Sequence, residues 1–432
     1  MMRATIVSAR RNGRRPCLSG QMMPVEFERC VPGGSILVHI QAFEVVNLGS
    51  RVGPRDRELD RHVNVFWGLN GSGKTTLLKI LHSALDNGST ELGELPFEAA
   101  SVILRDDASK NVLRRAYRQR RSSDGRVLKE HRLIREDDDG WILDETETSD
   151  WDSHLISAPR NAKRTVPVNA SFTHSYLPIS RVTEFRPRYW QGASYRTASD
   201  TRPVGPEERF VEQVRRRWQA YRSESLSRVR DIQQVGLAQI LAILFGSAIP
   251  IFSRPVGVGA EDAYRLVQNF LREQRISFPV RREDFVSRYE ESVEHQQVVA
   301  KIVEVQKQAD EVLRPQREFQ AVIDEFYSGD KHLILNRTPS PRDALSIEIG
   351  DRAIPLKALS SGEKQLLQLL LEVLAAEDTT VMIDEPELSM HVDWQQRLVQ
   401  SMRRINPNCQ LILATHSPEV MVDVDDAVIF EL

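Results

Sequence analysis

Apolar positions along this chain follow two patterns. Short runs such as Val63–Trp67 and residues 381–383, 411–413 and 428–430 predict sheet strands. Residues 36–40 alternate toward Phe43, and residues 100–104, 127–134 and 141–143 read as short strands joined by Asp/Gly turns, an antiparallel subdomain. Residues 75–85 and 366–374 carry helical spacing instead. Between positions 207 and 326 the helical pattern dominates. There Val298, Ile302, Val305, Ala309 and Val312 alternate four- and three-residue steps, and Phe319, Ile323 and Phe326 resume the stripe after Pro315. This predicts a short helical arm, whose stripe either packs on the rest of the chain or meets a partner, with packing preferred. Strands return at 333–335 and 345–349.

The strand 63–67 runs into Gly68-Leu69-Asn70-Gly71-Ser72-Gly73-Lys74-Thr75-Thr76, which fits the phosphate-loop pattern G-x-x-x-x-G-K-[ST]. Glycines let backbone N–H groups close around anionic oxygens, and a helix starting at Lys74 aims its positive end at the same place. The loop predicts binding of a nucleoside triphosphate, with Lys74 on the β- and γ-phosphates and Thr75 on Mg²⁺.

Far downstream, the strand 381–383 ends in Asp384-Glu385-Pro386-Glu387. Asp384 at the strand end can hold Mg²⁺ directly or through water, and Glu385 can orient or deprotonate an attacking water. Solvated acids ending a strand would look the same, but Lys74 upstream favours the catalytic alternative. Ser360-Ser361-Gly362-Glu363 precedes an apolar helix and fits the capping box S-x-x-E, which local stability alone can explain. His416 follows the strand 411–413.

The order of these four motifs resembles the ABC-type ATPase heads of the OLD/SMC-like AAA group. That resemblance implies an α/β P-loop fold: a mixed sheet with flanking helices, an antiparallel β subdomain and a helical insertion. Ser360 and Gly362 match the serine and second glycine of the LSGGQ-like signature, Ser361 replaces the first glycine, and Glu363 replaces the glutamine. In such heads the signature contacts the γ-phosphate held by the opposite subunit, so a homodimer with ATP at its interface is implied. His416 matches the switch histidine. The segment Asp384-Glu385-Pro386-Glu387-Leu388-Ser389-Met390-His391 looks like the DEPE-x-x-x-H pattern of OLD-type soluble ATPases, with His391 at the transporter D-loop aspartate position. An OLD nuclease would continue into a TOPRIM domain, and nothing follows Leu432, so nuclease activity is not expected of this chain.

The implied organisation is a basic tail (1–34) expected to be disordered, an N-terminal lobe (35–185), a helical insertion (186–330) and a C-terminal lobe (331–432). A start at Met22 or Met23 would leave residues 1–21 or 1–22 outside the native protein. Residues 175–181 are expected to return to the main sheet, Arg181 facing either nucleotide or a surface salt bridge.

Composition adds bounds. With 432 residues, 41 % hydrophobic and 28 % charged, the chain can bury a sizeable core, and a net charge of −3 confines any nucleic-acid contact to a local patch. Arg186, Arg188, Arg196, Arg202, Arg209, Arg215, Arg216 and Arg217, interleaved with Phe185, Tyr189, Trp190, Tyr195, Trp218 and Tyr221, form one candidate; a solvated helical face gives the same string. Cys17, Cys30 and Cys409 lack metal or disulfide spacing, which fits a reducing cytoplasm. The most apolar stretch, 235–252, is interrupted by Gly236, Gln239, Ser247 and Pro250; it predicts a buried helix and turn, and no stable membrane association. The expected activity is Mg²⁺-dependent ATP hydrolysis in a process linked to DNA or RNA, such as phage defence or DNA repair, with a separately encoded effector as a further candidate partner. The alternative is the ATP-binding subunit of an ABC transporter, opposed by the DEPE segment and by the long stretch between Lys74 and Ser360.

Overall fold

A parallel five-stranded sheet carries the motifs. The computed structural model describes residues 37–121, 127–132, 141–144, 151–157, 168–178, 205–246, 258–277, 279–327, 329, 331–335, 345–350 and 352–432. The sheet is built from β3 (Val63–Trp67), β9 (His174–Leu177), β13 (Thr380–Asp384), β14 (Gln410–Thr415) and β15 (Ile429–Glu431), in the order β15-β3-β14-β13-β9. Its strands alternate between two apolar environments, as the period of an extended chain requires. Val65, Val381, Ile383, Leu411 and Leu413 face one core, whereas Phe66, Met382, Ile412 and Ala414 face another. Burial on both faces explains the continuous apolar runs in the sequence.

The second of these cores holds α1 (Lys74–Asp86) and an antiparallel sheet of β1 (Val38–Val46), β2 (Pro54–Glu58), β4 (Ala99–Asp106), β5 (Val112–Arg121), β6 (Val127–Arg132), β7 (Trp141–Asp144) and β8 (Asp152–Ser157). The expected mixture of parallel and antiparallel strands is thus divided between separate sheets. Buried Gln410 ties them together: its Oε1 accepts from Ile40 N at 3.0 Å, while its Nε2 donates to Ile40 O at 2.8 Å and Asp60 O at 3.0 Å. The pairing falls where β1 shifts register against β4, between Ile40 and Ala42, so a side chain satisfies backbone groups beside the irregularity.

On the opposite face lie α6 (Ser361–Leu374) and α7 (Val392–Ile405), together with parts of α2 (Pro206–Leu244) and α5 (Val293–Phe326). A small antiparallel sheet of β10 (Lys331–Leu335), β11 (Leu345–Ile349) and β12 (Arg352–Ile354) leads into α6. The apolar stripe of α5 divides in two. Phe319, Ile323 and Phe326 join the main core with Phe210, Val214 and Trp218 of α2, whereas Val299, Ile302 and Val305 pack in a separate cluster with α3 (Ala260–Glu273) and α4 (Arg282–Glu291). Pro315 lies inside one continuous helix.

One expectation needs correction, and a second falls largely outside the described residues. Over residues 235–246 the chain is half-exposed rather than buried: Gly236, Ile240 and Ile243 face inward, but Val235, Leu241, Leu244 and Phe245 are exposed, Phe245 at 84 %. A single helix packed on one side can bury only one stripe. In the arginine-aromatic stretch, Phe185, Arg186, Arg188, Tyr189, Trp190, Tyr195, Arg196 and Arg202, like Arg181, lie outside the described residues. The described part fits the alternative of a helical face, with Trp218 inward and Arg209 and Arg216 exposed. Trp218 is buried against Phe319, Arg217 pairs with buried Glu372 at 3.0 Å, and Arg216 pairs with Glu212 at 2.6 Å.

Candidate ATP site

The ends of β3, β13 and β14 converge on one place, where the chain leaves a parallel sheet and ligands are usually bound. At the end of β3, residues 68–73 turn back on themselves, with Ser72 N donating to Leu69 O at 3.1 Å. Gly73 takes φ 103° as the N-cap of α1, where a Cβ would lie 3.0 Å from Leu48 Cγ, so a side chain there would be both strained and crowded. No side chain caps α1. The N–H groups of its first turn, with the helix dipole behind them, are therefore oriented for an anion. Gly68 is buried, Leu69, Asn70 and Gly71 are exposed, and Ser72, Thr75 and Thr76 are half-buried at the mouth.

Lys74 is buried at the first position of α1. Its Nζ donates to Gly68 O at 2.7 Å and Leu69 O at 3.3 Å, and lies 3.6 Å from Glu385 Oε1. Asp384 ends β13 with no exposed surface, and Glu385 follows with φ 48°, its N–H donating to Ala414 O at 2.8 Å. The left-handed turn separates the two acids, as expected where the strand gives way to a loop; a non-glycine residue held there is a mark of functional sites. Burial pushes the Glu385 carboxyl above its ordinary range, Glu387 pushes the same way, and His416 opposes them. A carboxylate so placed is a stronger proton acceptor than one in water.

His416 leaves β14 half-exposed, and its Nδ1 hydrogen-bonds Glu385 Oε2. What holds it there is Glu387, which sequence reasoning quoted but gave no task. Glu387 Oε1 accepts from Thr415 Oγ1 at 2.6 Å, His416 N at 3.0 Å and Ser417 N at 3.2 Å, and lies 3.1 Å from His416 Nδ1. Its place in the D-E-P-E run was the one signal in the sequence; its burial, which makes it spend its charge on donors, belongs to the structure. Ligand atoms of Glu385, Glu387 and His416 lie within 4.8 Å of one another. That set could hold a metal ion through Glu387 Oε2, since the donors of the loop after β14 engage Oε1 of Glu387. Gln395, equally unpredicted, accepts from Ser417 Oγ at 2.7 Å and donates to Met390 O at 3.0 Å.

The signature stands apart. Ser360 caps α6 in a reciprocal box, its Oγ accepting from Glu363 N at 3.3 Å while its own N–H donates to Glu363 Oε2 at 2.8 Å. Ser360 and Ser361 are exposed, and among the described residues no hydrogen bond or ion pair joins either to residues 68–76. Gly362 is buried because a Cβ would lie 2.5 Å from Ser389 O, so α6 starts pressed against the turn after Glu387. His391 caps α7, accepting from Asp393 N at 3.3 Å, and its side chain is exposed.

Phosphate loop, buried strand-end acid and poised carboxylate on a parallel sheet define a P-loop nucleoside triphosphatase. The family model "AAA domain" matches residues 39–327, more than half of the chain, and a second, "AAA domain, putative AbiEii toxin, Type IV TA system", matches residues 304–423. The chain belongs to the AAA-domain family. It is 34 % identical over 126 residues to the Retron Vc95 probable ATPase of Vibrio cholerae serotype O1 biovar El Tor, covering 26 % of this chain and 24 % of that one. Against the Retron Ec83 probable ATPase of Escherichia coli it is 30 % identical over 113 residues, 23 % of this chain and 20 % of the relative. The matched stretch thus spans only about a quarter or less of those relatives. Among solved structures, the Smc head domain with an extended coiled coil bound to the C-terminal domain of ScpA, from Pyrococcus furiosus, aligns over 91 % of this chain and 93 % of that chain at 14 % identity and a TM-score of 0.39. No described helix is long and apolar enough to cross a membrane.

Proposed function

We propose that this chain hydrolyses ATP with Mg²⁺ inside a homodimer that closes around two nucleotides. The observation that carries it is the meeting of Lys74, Glu385 and His416: the ammonium lies 3.6 Å from one carboxylate oxygen of Glu385, and the imidazole bonds the other. The uncapped first turn of α1 and Lys74 would hold the triphosphate of the substrate. Thr75 and Asp384 offer the hydroxyl and carboxylate oxygens that a hard divalent cation prefers, and a carboxylate without exposed surface is suited to such a charge. When bound, Mg²⁺ would neutralise charge on the β- and γ-phosphates. Glu385 would accept a proton from the attacking water, and His416, held by Glu387, would fix the direction of that carboxylate.

Ser360 and Ser361, exposed and unconnected to the loop of their own chain, would cap the nucleotide of the twin. The retron setting of two relatives and the toxin wording of one family model support a role in phage defence or a related nucleic-acid process, acting on DNA or RNA or gating a separately encoded effector. None of the reported relatives is a transporter subunit, and that alternative is not carried forward.

Glu385→Gln keeps the shape of the site but removes the base. Turnover is expected to fall about 100-fold or more, while ATP still binds and the dimer accumulates in sedimentation. Undiminished turnover would refute the role of Glu385, and a chain monomeric at saturating ATP would refute the sandwich.

A further inference from the structure

Glu363 is the acid of the capping box at the start of α6, so a carboxyl group sits beside the serine that, under the sandwich proposed above, meets the twin's terminal phosphate. Its Oε2 accepts from Ser360 N at 2.8 Å and Ser360 Oγ at 2.9 Å, and its Oε1 accepts from Lys331 Nζ at 2.6 Å. Lys331 is the first residue of β10 and lies 5.8 Å from the centre of the Tyr327 ring, whose hydroxyl donates to Glu363 O at 3.2 Å. Both partners are largely out of solvent, with side chains 20 % and 14 % exposed. Lys364, the next residue along α6, is paired with Glu207 at 3.2 Å. Burial disfavours the Glu363 carboxylate, but Lys331 and the Ser360 donors outweigh it and hold the carboxyl below its ordinary range, so the acid is charged at neutral pH. An uncompensated negative charge at that point would repel an incoming phosphate, and the partly dry surroundings would strengthen the repulsion.

We propose that Lys331 is a positioning residue for ATP-driven association: its ammonium neutralises Glu363 and holds it in the capping box, so that the Ser360 end of α6 can accept the phosphate of a second copy of this chain. The inference rests on the sandwich reading and adds to it the residue that makes an acidic signature compatible with an anion.

The test uses the full chain, with ATP affinity read by calorimetry and ATP-dependent dimer by analytical ultracentrifugation. Lys331→Met is expected to weaken association about ten-fold while ATP affinity stays within about two-fold. Glu363→Gln should associate at least as tightly as the parent. The double variant Lys331→Met/Glu363→Gln should return to within about three-fold of the parent, a rescue that a merely structural lysine would not show. Parent-like association by Lys331→Met, or a double variant no better than the single one, overturns the inference. Should Lys331→Met not fold, Glu363→Gln decides: association about ten-fold weaker than the parent's would assign Glu363 to capping alone. A parent chain that stays monomeric with ATP, even as Glu385→Gln, sinks the sandwich and this inference together. A dimerising parent beside an indifferent Lys331→Met sinks this inference alone.

Discussion

The first turns of α1 and α6 are built in opposite ways. At α1 no side chain caps the helix, Gly73 leaves the backbone open, and Lys74 reaches back to carbonyls of its own loop and toward Glu385. At α6 the end is closed by its own residues, with Ser360 and Glu363 bonded reciprocally and Lys331 on the outer carboxylate oxygen. Both ends carry a positive dipole, but among the described residues only the first lies beside Glu385. Under the proposed sandwich, this division would let the chain bind nucleotide alone and withhold turnover until a second copy arrives.

The comparison can be broken first at the support of α1. Arg115, a fully buried arginine of β5, donates to Ala84 O, to Leu85 O at 3.3 Å, to Val168 O at 3.2 Å and to Ala170 O at 2.5 Å, with its guanidinium over the Phe172 ring. It serves the carbonyls at the negative end of the phosphate-loop helix. Arg115→Met is expected to cost about 3–4 kcal/mol, read as a lower urea midpoint, because several buried carbonyls lose their donor at once. An unmoved midpoint would show that α1 is anchored from its N-terminal side only.

Next comes the convergence of the loops. Glu387→Ala removes the acceptor shared by Thr415, His416 and Ser417, and turnover is expected to fall about 100-fold, near 2.7 kcal/mol, with ATP affinity retained. Glu387→Gln keeps an acceptor oxygen and should recover part of the loss. Equal defects in the two variants would mean that charge, not position, is what Glu387 contributes. The smallest effect belongs to the self-sufficient end. Ser360→Ala should cost about 1 kcal/mol of stability through the lost cap, measured by chemical denaturation, and separately loosen ATP-dependent association. A stability change with no change in association would leave Ser360 a cap and nothing more.

Much of the site could be read before the fold was known because its chemistry is local. Gly68 to Thr76 announce a phosphate loop by residue type and spacing, Ser360 and Glu363 announce a helix start, and the apolar runs before Gly68, Asp384 and His416 announce strands. Asp384 and Glu385 could be paired with Lys74 only by motif order, and the parallel pairing of β13 with β14 and β14 with β3 supplies the contact. The arginines and aromatics of α2 left two readings open, and the buried Trp218 and ion-paired Arg217 support the helical-face reading for the described part. Arg115 left no signal, being one arginine in a strand among many.

By itself the sequence determined which segments carry the phosphate-loop pattern, begin helices and end strands, because those properties depend on neighbours a few residues away. Tertiary structure alone decided that Glu387 would grip the loop bearing His416, that Arg115 would close the far end of α1, and that Lys331 would meet Glu363. Those pairings join residues from different elements, and what brings them together is the burial of both faces of one sheet, a property of the whole chain rather than of any window along it.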